Sequence, residues 1–401
     1  MTSSERVFVY NTFQMKLFLA LVTLSVVFAV TKVSLERHVP QEERLFQHYA
    51  SNGVVKGRIS KVNRFGFPTN GDVHHVVIDD YMNAQYRVKA NIGKEVGANI
   101  MEFIFDTGSS NNFVFGSVSG PKGKGCHCTS IPCIVHQTYK CESFDYSGQQ
   151  MVLAYGSGNV TVSAGHDHVM IGDIQVHGRL DVVSHVDLTM IAFDTLKASG
   201  ILGFAFSSIQ QSPPGMEQET FMDAAVREQK VDSEIFTLCF SEDSNDAYLG
   251  GLPSFIAPGD VQWTPLFRDL WWLTKADVAI GSSVIAQNLY MVIDSGTSAG
   301  LVVPTEVYEN IMAYPGMYLK PDCSNLDELP TISLIFNGAL VHMESKNYVL
   351  VVTSQGQKQC TMMISAMDIS NGISIAGDGF YRSLKGVVHD VKNSKIGFVL
   401  P

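Results

Sequence analysis

The feature that most constrains this chain is a phrase that occurs twice. Phe103-Ile104-Phe105-Asp106-Thr107-Gly108-Ser109-Ser110 returns 188 residues later as Met291-Val292-Ile293-Asp294-Ser295-Gly296-Thr297-Ser298. Each copy is an apolar run that meets an Asp, a hydroxyl residue, a Gly and two more hydroxyl residues. Each is followed by an apolar pair closing on glycine: Ile201-Leu202-Gly203, its glycine 97 residues after Asp106, and Ile375-Ala376-Gly377, its glycine 83 after Asp294. One Asp-Thr-Gly-Ser is an ordinary turn. Two in matching context, half a chain apart, describe a duplication, and each unit contributes one carboxylate.

The intervening sequence reads as strands. Short β-branched and aromatic runs (Ile100 to Phe105, Met151 to Tyr155, Val169 to Ile171, Tyr290 to Ile293, Tyr348 to Val352) are punctuated by Gly, Asn, Ser and Pro. Helical periodicity is confined to pieces such as Thr220 to Gln229 and Thr305 to Ala313. The expectation is an all-β, bilobal fold: two pseudo-twofold-related β lobes with a central cleft and a few short helices. The body is too long for one sandwich. The lobes are placed at residues 73–255 and 256–401.

The N-terminal part differs. Leu17 to Val30 is an uncharged apolar run, too short to span a membrane comfortably. It follows Met15-Lys16 and ends in Val27-Phe28-Ala29, as a signal peptide would, so residues 1–31 are read as an extension plus leader with no stable membrane anchor. Residues 32–72 hold seven Lys and Arg against four Asp and Glu, a basic segment of +3. The chain's net charge of −11 therefore hides a body near −15. That acidity excludes a nucleic-acid partner. A basic segment ahead of an acidic body suits an ionic cover released as carboxylates protonate. The expected route is secretion or delivery to the lysosome, and the expected state a monomer.

Seven cysteines fit an oxidising compartment. Cys126, Cys128, Cys133 and Cys141 cluster, and the single residue between Cys126 and Cys128 is short for zinc. Two local bridges are expected there, with Cys323 and Cys360 joined across a loop and Cys239 a buried free thiol. No metal or cofactor is expected, and His166-Asp167-His168 is read as solvated polar residues on a surface hairpin.

If the lobes face each other, Asp106 and Asp294 meet in the cleft. Two carboxylates that close share a proton, one acting as base on a water and the other polarising a carbonyl. Ser109 and Thr297 would bond the outer carboxylate oxygens. Thr107 and Ser295 would bond across between the loops, with Gly108 and Gly296 making the tight turns.

On these motifs the body, about residues 75–401, resembles a pepsin-like aspartic endopeptidase and is similar to that family's nematode members. Further residues carry the likeness: Val77 to Tyr86, Ala154-Tyr155-Gly156-Ser157-Gly158, Phe236 to Phe240, Tyr248-Leu249-Gly250-Gly251, Cys323 to Pro330, Gly377-Asp378-Gly379-Phe380, His389-Asp390 and Ile396-Gly397-Phe398. The resemblance implies an enzyme that hydrolyses peptide bonds of protein or peptide substrates at acid pH and is made as a zymogen. It makes Tyr155, Gly156 and Ser157 a flap that closes on substrate. Departures are Phe113 where a tryptophan is usual, Lys94-Glu95 in a cleft edge, and Ala376 where leucine is usual. Phe113, Phe204 and Phe206 suggest an apolar preference, and Asn159-Val160-Thr161 is a glycosylation sequon near the flap. Two other readings compete. One is a non-catalytic peptide binder of the same fold. The other is a serine hydrolase through Ser298, since Gly296 to Gly300 matches Gly-x-Ser-x-Gly but runs into Leu301-Val302-Val303-Pro304 instead of a helix.

Overall fold

The expected strands form because alternating or continuous apolar runs must bury their side chains on one or both faces of a sheet. A computed structural model describes residues 73–81, 85–155, 158–187, 196–240, 245–354 and 357–401. The proposed leader and basic segment lie outside the described residues.

The architecture is all-β, with short helices. One sheet of 13 strands and one of eight hold the two copies of the repeated phrase. In the first, Ile100–Asp106 runs parallel to Gly200–Gly203, with Asp106 opposite Gly203. Phe113–Phe115 lies antiparallel on the other side of Gly200–Gly203. In the second, Ser283–Ile293 runs parallel to Ile373–Ala376, and Leu301–Val303 lies antiparallel beyond it. The duplication in sequence is thus a duplication in topology. The two downstream glycines have a steric reason. A Cβ on Gly203 would lie 2.6 Å from the Ser110 backbone, and one on Gly377 would collide with the carbonyls of Thr297 and Ala299. Each catalytic-type loop rests on bare backbone.

The larger sheet crosses from one half of the chain to the other. Ile235–Phe240 pairs with Gly386–Asp390, which pairs with Lys395–Val399, which pairs with Val261–Pro265. Beneath the loops, Phe105 stacks on Phe204 with ring centroids 3.7 Å apart, and Phe236 and Trp272 close the cluster. The indole of Trp272, from the second half, donates to the Phe204 carbonyl at 3.0 Å. Phe204 and Phe206 are core residues, 2% and 7% exposed, packed in this cluster. Their aromatic character serves packing between the halves.

Local signals behaved as their chemistry requires. The helix Phe221–Arg227 starts at a capping box made by Thr220 and Asp223, and Thr305–Met312 follows Pro304. Tyr348 closes a short helix, Ser345–Tyr348, and the strand begins at Val349. The cysteines pair as Cys126–Cys141, Cys128–Cys133 and Cys323–Cys360. Cys239 is buried and free, its thiol pushed up to about 12 by burial. Among the described residues no helix is long and apolar enough to cross a membrane.

Candidate active site

Each aspartate is held by its own turn. The amide of Gly108 donates to Asp106 Oδ1 at 2.8 Å, and the amide of Gly296 donates to Asp294 Oδ1 at 2.8 Å. The Ser109 hydroxyl donates to Asp106 Oδ2, and the Thr297 hydroxyl donates to Asp294 Oδ2 at 2.6 Å. Both carboxylates are 0% exposed. The turns meet face to face: a Cβ on Gly108 would lie 2.5 Å from the Asp294 carboxyl carbon. Only glycine lets the second carboxylate come so near.

The second hydroxyl of each motif ties the two loops together. Thr107 Oγ1 donates to the Ile293 carbonyl at 3.0 Å and accepts from the Ser295 amide at 2.9 Å. Ser295 Oγ donates to the Phe105 carbonyl at 2.6 Å and accepts from the Thr107 amide at 3.2 Å. Four bonds cross between loops 188 residues apart. Below them a brace absent from the sequence reading continues the network. The Tyr381 hydroxyl lies 3.1 Å from Thr107 Oγ1 and 3.2 Å from His389 Nε2. Both residues follow the second glycine, but nothing in their spacing singled out this contact.

Burial, then the field of Asp294, holds the Asp106 carboxyl well above the ordinary range. Burial raises Asp294 as well, while the bonds from Thr297 and Gly296 oppose it. The two titrate as one coupled pair. A third buried carboxyl, Asp378, directly follows Gly377. Burial lifts it well above its usual range despite the nearby Arg382 guanidinium. His389 is buried beside Trp272 and Phe236, and desolvation lowers it to about 3, so its ring is neutral. Two close, buried and braced carboxyls that share a proton are suited to activating a water against a carbonyl.

The sequence model of the eukaryotic aspartyl protease family matches residues 85–400. The chain belongs to that family. It is 27% identical over 369 residues to cathepsin D of Clupea harengus, covering 86% of this chain and 88% of that protein. It is 28% identical over 342 residues to pepsin A of Sus scrofa, covering 80% and 82%. Against the vacuolar protease A of Arthroderma otae it is 27% identical over 346 residues, covering 81% and 80%. The protein is an aspartic endopeptidase, a hydrolase acting on peptide bonds.

In this protease the wall beside Asp106 is built by Tyr155, at the end of the strand Asp145–Tyr155. The phenol is 7% exposed. Burial and the Asp106 charge raise its pKa well above the ordinary value, and a hydrogen bond with Ser109 opposes them. Phe113 meets the Tyr155 ring edge-on at 5.7 Å and is itself fully buried. Lacking an indole N–H, it supports the tyrosine by packing alone. Gly156 and Ser157 lie outside the described residues. Asn159 is exposed on the returning strand Gly158–Ile171, paired with Ala154. A pocket beside Tyr155 is lined by Ser109, Ser110, Asn111, Ala154, Ile209 and Gln211.

One reading is corrected here. Asp167 is not solvated; it is 0% exposed, bonded by the Tyr139 hydroxyl and, at 2.8 Å each, by the Ser143 hydroxyl and the His168 amide. In a strand of alternating polar residues, which face is buried depends on the partner strands. The Gly296 to Gly300 run leads into the strand Leu301–Val303, so Ser298 lacks the strand-to-helix setting of a serine nucleophile. Among the described residues there is no His, Cys, Asp and Glu group able to hold a metal ion.

Proposed function

We propose that Asp106 and Asp294 are the catalytic pair of this endopeptidase and that the bond-breaking water sits between them. One carboxylate takes a proton from that water as its oxygen attacks the scissile carbonyl carbon. The other carboxyl hydrogen-bonds the carbonyl oxygen as it gains charge. That carboxyl passes its proton to the oxygen, giving a neutral gem-diol. On collapse one gem-diol hydroxyl returns a proton to the ionised carboxylate while the other carboxyl protonates the peptide nitrogen, which leaves as an amine, and the dyad is again singly protonated. Thr107, Ser109, Ser295 and Thr297 hold the carboxyls, with Gly108 and Gly296 providing their turn amides. Tyr155, backed by Phe113 and continuing through Gly156 and Ser157, covers the substrate.

The observation that carries this reading is the matched set of bonds on two fully buried, mutually facing carboxylates. Shared protonation favours work at acid pH. The +3 segment ahead of the acidic body supports synthesis as a zymogen whose cover loosens in acid. The apolar run Leu17 to Val30 and the three disulfides support entry into the secretory pathway, with an endpoint outside the cell or in the lysosome. An exposed Asn159 would carry a glycan at the mouth of the site. Residues 73–255 and 256–401 serve as the two lobes, and the chain acts as a monomer.

The test is hydrolysis of a denatured protein at acid pH after removal of the N-terminal segment. Asp106→Asn and Asp294→Asn should each lower kcat by about 100- to 10,000-fold or more, the usual size of a lost general acid or base. A folded, processed wild-type chain without turnover would overturn the reading.

A further inference from the structure

The pocket beside Tyr155 is lined by polar side chains, yet most are already spent. Ser109 bonds Asp106, and Ser110 Oγ donates to the Phe206 carbonyl at 2.7 Å. Asn111 uses its amide group on Asp181 Oδ2 at 3.0 Å and the Gln211 carbonyl at 2.8 Å, while its oxygen accepts from the Gln211 amide at 2.9 Å. Ala154 and Ile209 are apolar. The Gln211 carboxamide remains: a half-buried donor and acceptor in the pocket lining whose described hydrogen bonds involve only its backbone.

The mounting of Gln211 is elaborate for a loop residue. Its backbone N–H and C=O are both held by Asn111, as above. The adjoining Ser212 hydroxyl accepts from Arg179 Nη1 at 3.2 Å. On the other side Gln210 Nε2 donates to the Ser110 carbonyl at 3.0 Å and the Glu219 carbonyl at 2.8 Å. Behind Asn111 stands an ion pair with both side chains 0% exposed: Arg179 Nε donates to Asp181 Oδ1 at 3.0 Å, and Nη2 lies 2.9 Å from the same oxygen. A buried pair of this kind contributes little net stability against apolar replacements. What it does supply is a fixed direction. Asp181 presents its second oxygen to Asn111, and Arg179 reaches Ser212, so one pair fixes both ends of the Gln211 mount.

We infer that Gln211 determines specificity in this pocket, selecting a substrate side chain that carries a carboxamide, and that Arg179 and Asp181 are the positioning residues that hold it. Two carboxamides can exchange a donor and an acceptor with each other, whereas an aliphatic side chain would leave Gln211 unpaired. The lining contains no Lys or Arg to welcome a carboxylate. This inference rests on Asp106 and Asp294 as the catalytic pair.

Its test compares peptides identical except for Gln or Met at the residue that enters the pocket, located by scanning that substitution along the peptide. Binding is measured to the Asp294→Asn chain after removal of its N-terminal segment, so the ratio exists whether or not the dyad reading holds. Turnover is measured separately on the wild type. About tenfold tighter binding of the Gln peptide at one position is expected, the worth of one or two half-buried hydrogen bonds. Gln211→Leu should bring the ratio to about one. The paired replacement Arg179→Met with Asp181→Leu, which leaves no lone buried charge, should lower the ratio at that position only, through KM and with the kcat ratio unmoved. Equal binding of both peptides at every position, or a tenfold ratio surviving Gln211→Leu, would overturn the inference. Absence of turnover by the processed wild type, with the binding ratio intact, would instead overturn the dyad.

Discussion

Replacing Thr107 by valine tests how the two loops are joined, because it keeps the shape of the side chain and deletes one oxygen. That oxygen has three partners: the Ile293 carbonyl at 3.0 Å, the Ser295 amide at 2.9 Å and the Tyr381 hydroxyl at 3.1 Å. All are buried, so water cannot replace it. Each orphaned group costs about 1–3 kcal/mol, and relaxation recovers part, giving roughly 3–5 kcal/mol for Thr107→Val. Ser295→Ala removes two bonds and spares the Ser295 amide, so about 2–3 kcal/mol is expected. Urea unfolding at near-neutral pH measures both. The loss should reach the chemistry as well, since a displacement of order 1 Å at a reacting group is worth about a hundredfold. Thr107→Val should lower kcat/KM by ten- to a hundredfold, on the same scale. Stability within about 1 kcal/mol of wild type with unchanged kcat/KM would refute the idea that these hydroxyls hold the carboxyls together. So would a Ser295→Ala variant weaker than Thr107→Val.

Stability should rise as pH falls from neutral. Asp106, Asp378 and Asp181, the last raised to about 6, are all held above their ordinary range by burial. The stability they contribute is full below about pH 4 and lost as pH rises through their folded values, on the order of 2–3 kcal/mol for Asp181 alone. His389, lowered to about 3, acts oppositely: its contribution is present above about pH 6.5 and lost as pH falls toward 3. The Asp294→Asn chain, unable to digest itself, should therefore unfold at higher urea near pH 5 than near pH 7.5, and lose ground again below about pH 4. A urea midpoint higher near pH 7.5 would contradict this. Cys323 and Cys360 close a loop of 37 residues. Replacing both by serine should cost about 4 kcal/mol on the chain-entropy account, read as a lowered thermal midpoint.

The facing aspartates were legible because their bonding is set by a local phrase, and the phrase occurs twice. Carboxylate, turn glycine and bonding hydroxyl lie within four residues, so the bonds from Ser109 and Thr297 and the crossed hydroxyl bonds could be read locally. That bridges form followed from compartment and clustering; which of Cys126, Cys128, Cys133 and Cys141 pair did not. What the sequence concealed depended on distant partners. Phe204 and Phe206 carry an apolar character whose packing partners, Phe105 and Trp272, lie far off in sequence. Asp167, Arg179 and Asp181 are charged residues at strand positions that face inward, and a single strand does not reveal which face its neighbours cover. Tyr381 reaches Thr107 across 274 residues.

The sheet that crosses between the halves has a consequence for how the enzyme is born. A nascent chain that has reached residue 300 already contains both aspartates. It still lacks the strands Gly386–Asp390 and Lys395–Val399, which sit between Ile235–Phe240 and Val261–Pro265, and it lacks the His389 that supports Tyr381 beneath Thr107. Premature termination or an early pause in translation thus leaves an open sheet edge and an unbraced dyad.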